Sequence, residues 1–150
     1  VKEKKDNVST STLMRRLSGT TDIGRFFKAN AESFGIPAFC EYISQKCEGM
    51  GVAPERVILK AGLDRVYGHQ IFEGIRRPSR DKVIQLAFGF GLDTDGTQEL
   101  LRRARHSELY PKIKRDAAIL FCIQRKMNLI DVQNLLDELG LPLLGGKENG

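Results

Sequence analysis

Apolar residues recur at spacings of three and four through most of the chain. No segment alternates apolar and polar residues convincingly, so the pattern predicts helices and no strands. Leu13, Met14 and Leu17 line one side of a short helix that starts near Ser9. Ile23, Phe26 and Phe27 mark a second, with Thr21 or Asp22 placed to cap it. Phe39, Cys40, Ile43 and Cys47 form the stripe of a longer helix over 38–47, and Pro54 suits the first turn of the next. There Val57, Ile58 and Ala61 make an apolar face that stops at Gly62, which can take the left-handed conformation that closes a helix.

Beyond Gly62, Leu63 points back to the core and Asp64 stands where an N-cap belongs, so a further helix begins at Arg65. It carries Gly68, Ile71 and Phe72 inward and Arg65, Val66, His69 and Gln70 outward, and Gly74 ends it. A basic loop leads through Pro78 to Ser79 and a helix over 83–92. Helices follow over 94–106, with Leu100 and Leu101 inward, and over 113–127. The last is capped by Asn128 with Asp131 three residues on, carries Val132, Leu135, Leu136 and Leu139, and stops at Gly140.

This pattern divides the chain into an N-terminal arm with short helices (1–36), a central domain (37–106), a helical hairpin (107–144) and a flexible tail (145–150). Residues 1–8 read as a disordered polar arm, and Phe34 to Pro37 as a turn into the domain. The hairpin holds more apolar positions than a surface element needs. Packing on the same chain is the favoured reading, with a dimer or protein-partner surface as the alternative.

Composition narrows the class. With 150 residues and 41% hydrophobic content, the chain can build one core with extensions. No apolar run approaches a membrane span and no signal-peptide core opens the sequence, so a soluble, cytoplasmic protein is expected. Cys40, Cys47 and Cys122 form no C-x-x-C pair and read as small buried hydrophobes. His69 and His106 lack ligands at metal-binding spacing, and Gly89-Phe-Gly91 has no strand before it and no Lys-Ser/Thr after it. No enzyme, metal or cofactor is expected.

The net charge of +5 favours a polyanionic partner, and its distribution says more than its size. Arg56, Lys60, Arg65, Arg76, Arg77 and Arg80 gather around the two short central helices. Arg102, Arg103, Arg105, Lys112, Lys114 and Arg115 form a second cluster, while acidic residues collect at 93–99 and 131–138.

The elements Val57-Ile58, Gly62-Leu63-Asp64, Gly74, Arg76-Arg77 and Pro78-Ser79, followed by a helix ending near Leu92, together resemble the helix-turn-helix of the lambda-repressor-like family, also called the XRE or phage-repressor family. The resemblance covers about residues 37–106. Gly68 departs from it where a branched aliphatic is usual, and Phe72 where many members place Glu. It implies an all-α fold: a five-helix DNA-binding domain with an N-terminal helical extension and a C-terminal helical hairpin.

The function it implies is sequence-specific binding of double-stranded DNA by a transcriptional regulator, repressor more often than activator, with a homodimer matching two-fold symmetric sites. Arg65 and Val66 then face bases, guanine and a thymine methyl respectively, with His69, Gln70 and Arg76 following the groove. Lys60, Tyr67, Arg77 and Arg80 then contact phosphate, which positions without reading. The competing reading is a protein-binding adaptor or antitoxin-like module that keeps the fold and uses its terminal helices on a protein partner.

Overall fold

The computed structural model describes residues 8–30 and 38–146, and these are helical throughout with no strand among them. The expected polar arm, apart from Val8, the turn at Phe34 to Pro37 and residues 147–150 lie outside the described residues. The chain falls into two compact units, Val1–Pro37 and Ala38–Gly150.

The first unit holds α1 (Thr10–Ser18) and α2 (Ile23–Ala29). Ser9 caps α1 and Asp22 caps α2, each by accepting a backbone N–H three residues on. Arg16 donates to Asn30 Oδ1 at 2.7 Å, and Asn30 in turn donates to the Phe26 carbonyl, which closes the pair around a buried Phe26.

The second unit packs seven helices on one core: α3 (Phe39–Met50), α4 (Pro54–Lys60), α5 (Arg65–Phe72), α6 (Arg80–Phe90), α7 (Thr94–Arg103), α8 (Lys114–Gln124) and α9 (Leu129–Glu138). Helix α6 is buried nearly all round, as a central helix must be, and carries Asp81 and Gln85 into the interior with it. It meets α4 at Gly89, where an added Cβ would strike the Val57 carbonyl and the Ala61 side chain, so glycine lets the two backbones touch. Ile119, Cys122, Val132, Leu136 and Leu144 belong to the same core, so the hairpin packs on its own chain and no second core begins at residue 107.

Helices α6–α7 and α8–α9 are two copies of one unit, 35 residues apart. Arg80-Asp81 recurs as Arg115-Asp116, Ile84 as Ile119, Gln98 as Gln133, Leu100-Leu101 as Leu135-Leu136 and Leu109 as Leu144. The hydrogen bonds repeat with the residues. Gln98 grips the Leu109 backbone at both N–H and carbonyl (2.7 and 2.9 Å), and Gln133 grips Leu144 in the same way (2.8 and 2.8 Å).

Across the seam the contacts are reciprocal. Arg80 makes a two-pronged pair with Asp116 (3.1 and 2.8 Å), and Arg115 makes the same pair with Asp81 (2.9 and 2.8 Å). Arg80 also donates to the Ser107 and Glu108 carbonyls, and Arg115 to those of Pro142 and Leu143. The Tyr110 N–H reaches Asp116, and the Gly145 N–H reaches Asp81. Exchanging the two copies maps this network onto itself, as two-fold symmetry requires.

Several helix ends differ from expectation for a shared reason. Helix α7 stops at Arg103 rather than 106, and α8 spans Lys114–Gln124 rather than 113–127. Arg105 (φ 62°) and Lys126 (φ 56°) take the left-handed conformation that closes these helices, the place usually held by glycine. In the other copy the matching positions are Gly140 (φ 69°) and Gly91 (φ 69°). The expected tail also starts too early, because Gly145 is tied to Asp81.

Candidate nucleic-acid interface

Helices α4 and α5 meet at a short turn whose chemistry is local. Gly62 (φ 64°) closes α4, Leu63 drops into the core, and Asp64 caps α5 by accepting the Tyr67 N–H at 3.0 Å. Helix α5 then crosses α4 at Gly68, where an added Cβ would lie 2.5 Å from Ile58 Cγ2. A branched side chain at 68 has no room, which is the packing reason for glycine there. Ile71 is buried beside it and Phe72 partly so.

With Gly68 and Ile71 seated, α5 turns Arg65 and Val66 outward; the Arg65 side chain is 80% exposed and Val66 64%. Tyr67, His69 and Gln70 are half-buried. These side chains are organised by pairs. Glu55, in the first turn of α4, places Oε1 at 3.3 Å from Arg65 Nη2 and 3.6 Å from His69 Nε2. Arg76 donates from Nε to Gln70 Oε1 at 3.1 Å, which draws the basic loop onto the end of α5. Lys60 and Arg77 are exposed nearby in sequence. Lys82 Nζ lies 5.7 Å from the centre of the Tyr67 ring, a cation–π distance. Lys82 was not singled out from sequence; its place one turn after the Pro78-Ser79 cap is the signal that could have found it.

Arg80 does not join this surface. Every guanidinium nitrogen donates within the protein, to Asp116 and to the Ser107 and Glu108 carbonyls, so the phosphate contact expected of it is corrected to a structural pin. Arg115 of the second basic cluster is pinned in the same manner on Asp81. Within that cluster Arg102 meets Glu108 at 3.2 Å, and Arg103 lies over the Tyr42 ring at 4.9 Å.

Burial by itself would raise the Asp81 carboxyl. The hydrogen bonds from Arg115 and the Gly145 N–H, with the charges of Arg115 and Arg80, outweigh it and hold that carboxyl below the usual carboxylate range. Burial pushes the Cys47 thiol up, and burial with the Asp131 charge does the same to Cys122, so both stay as thiols. Among the described residues no three His, Cys, Asp or Glu side chains gather as a metal site, and no helix is long and apolar enough to cross a membrane.

One further concavity stands apart from α5: an open apolar groove between α8 and α9 of about 590 Å³, lined by Ala117, Ala118, Phe121, Leu135, Leu139 and Leu141 with Lys114 at its rim. No known protein family, curated protein or solved structure matches the chain.

Proposed function

We propose that this protein binds double-stranded DNA sequence-specifically through a helix-turn-helix of the lambda-repressor-like type, with α4 as the supporting helix and α5 as the reading helix, and acts as a transcriptional regulator. The observation that carries the reading is the one-sidedness of α5. Gly68 and Ile71 seat it on α4, while Arg65, Val66, His69 and Gln70 share the opposite side next to Arg76 and Arg77. A short helix with one buried and one polar, basic side, followed by a basic loop, suits insertion in a major groove. Arg65 uses Nη2 on Glu55 and keeps its other N–H groups for a two-pronged contact to guanine. Lys60, Tyr67, Arg77 and Lys82 are placed to meet phosphate.

Selection from a random duplex pool, with a salt titration on the enriched sequences, tests this. An enriched motif and a steep loss of affinity with salt are expected. Weak binding without enrichment overturns the reading and favours the second one, a protein-binding adaptor, which the apolar groove between α8 and α9 supports.

A further inference from the structure

The two-fold repeat supplies an internal control for the groove between α8 and α9, because every residue lining it has a counterpart in the first copy. There the centre of the counterpart surface is covered. Val83 and Leu86 of α6 and Leu100 of α7 are 0% exposed, whereas the matching Ala118, Phe121 and Leu135 line the open groove and Phe121 is 41% exposed. The cover in the first copy comes from helices. Helix α4 lies against α6 at Gly89, Tyr67 of α5 lies under Lys82 of α6, and Tyr42 of α3 reaches α7, donating to Glu99 at 3.3 Å beneath Arg103. The second copy has kept the apolar floor and has no such cover among the described residues of its unit.

We infer that the groove between α8 and α9 is a docking site for an amphipathic helix of a partner protein, seated on the face of the second copy that matches the one α3, α4 and α5 meet on the first. The differences between the copies define that helix. Gly89 becomes Gln124, so the occupant cannot lie flush on α8 at that end as α4 does on α6. Val83 becomes Ala118 and Lys82 becomes Ala117, which deepens the opposite end and makes room for a large aliphatic or aromatic side chain. Phe90 becomes Arg125, whose guanidinium stacks on Phe121 at 3.6 Å, and Lys114 stands at the rim. Lys114 and Arg125, the charges beside the groove at the two ends of α8, are both positive, while Arg115 and Asp116 are engaged in the seam. The partner helix therefore presents an apolar stripe at i, i+3, i+4 and i+7 and an acidic flank toward α8. The site is independent of the DNA-facing side chains of α5.

A displayed library of helical peptides with that stripe, carrying either acidic or basic flanks, can be selected against the full chain. Enrichment of acidic-flanked peptides is expected. Phe121→Glu should weaken the winners about tenfold or more, as loss of a central anchor does. Ile130→Glu, exposed on α9 away from the groove lining, should leave them unchanged. Lys114→Glu should shift the preferred flank toward basic, a response that general stickiness does not give. Winners that bind the Phe121→Glu protein equally well overturn the inference. So does concentration-dependent self-association that Phe121→Glu abolishes, which would assign the groove to a second copy of this chain.

Discussion

The first repeat, α6–α7, and the second, α8–α9, share a frame and differ in what they face. Their common seam holds both Arg-Asp pairs and each copy keeps its own glutamine grip, while the outer faces have diverged from Val83 and Leu86 to Ala118 and Phe121. The lesson concerns charge as much as packing. Arg80 and Arg115 meet buried carboxylates and carbonyls, so they hold the fold. Arg65 and Arg76 meet an exposed carboxylate and a neutral amide, contacts that can be given up at little cost, as the proposed DNA binding requires. Breaking a buried pair costs about 3–5 kcal/mol, whereas an exposed pair contributes about 0–1 kcal/mol.

The comparison breaks most visibly at its seam. Asp116→Ala, which strands Arg80, should lower unfolding free energy by about 3–5 kcal/mol in urea titration, and Asp81→Ala should cost a similar amount. Strongly unequal losses would show that the two copies do not share the seam evenly. The Asp81 contribution has a defined pH window. Its lowered native value means the stabilisation is full above the ordinary carboxylate range near about 4 and disappears as pH falls through the native value. The gap between the parent and Asp81→Asn in a pH series of melting curves should therefore close in acid, and a constant gap would refute the assignment.

Smaller effects separate the outer faces. Gly89→Ala should cost about 1–3 kcal/mol by pushing α4 off α6, while the matching exposed residue tolerates Gln124→Ala within about 0.5 kcal/mol. On α5 and the loop after it, if the proposed role holds, Arg65→Ala with Arg76→Ala should leave melting nearly unchanged and reduce binding to a selected duplex about tenfold or more. An unchanged affinity would sink the proposed surface. Last, Glu55→Ala should raise binding to scrambled duplex a few-fold by removing a negative charge near phosphates, roughly the size of one exposed charge interaction. Weaker binding to scrambled duplex would contradict that sign.

What the sequence disclosed was local chemistry. The caps at Asp64, Ser79 and Asn128, the reversal at Gly62 and the outward set Arg65, Val66, His69 and Gln70 each depend on neighbours within one helical turn. What stayed hidden was set by distant partners. Arg80 read as one more basic residue of a phosphate-facing cluster because Asp116 lies 36 positions away, and Gly68 read as a departure from the family pattern because Ile58 sits on another helix. Helix ends at Arg105 and Lys126 were overrun because neither residue type announces a left-handed backbone. The repeat itself is carried by sparse identities, and the hydrogen bonds make it plain where the residues alone did not. In the candidate interface, the pairing of Glu55 on α4 with Arg65 and His69 on α5 falls in the same category.

The bond from the Gly145 N–H to Asp81 also sets an order of events at the ribosome. A nascent chain made only to residue 110 contains α4, α5, Arg80 and Asp81 but neither Asp116 nor Arg115. Closing α6 at that stage would bury Asp81 without Arg115 and leave Arg80 with the Ser107 and Glu108 carbonyls alone. The support beneath α5 therefore gains its full set of partners only once the second repeat has been synthesised, and the last of those bonds waits for residue 145 to emerge.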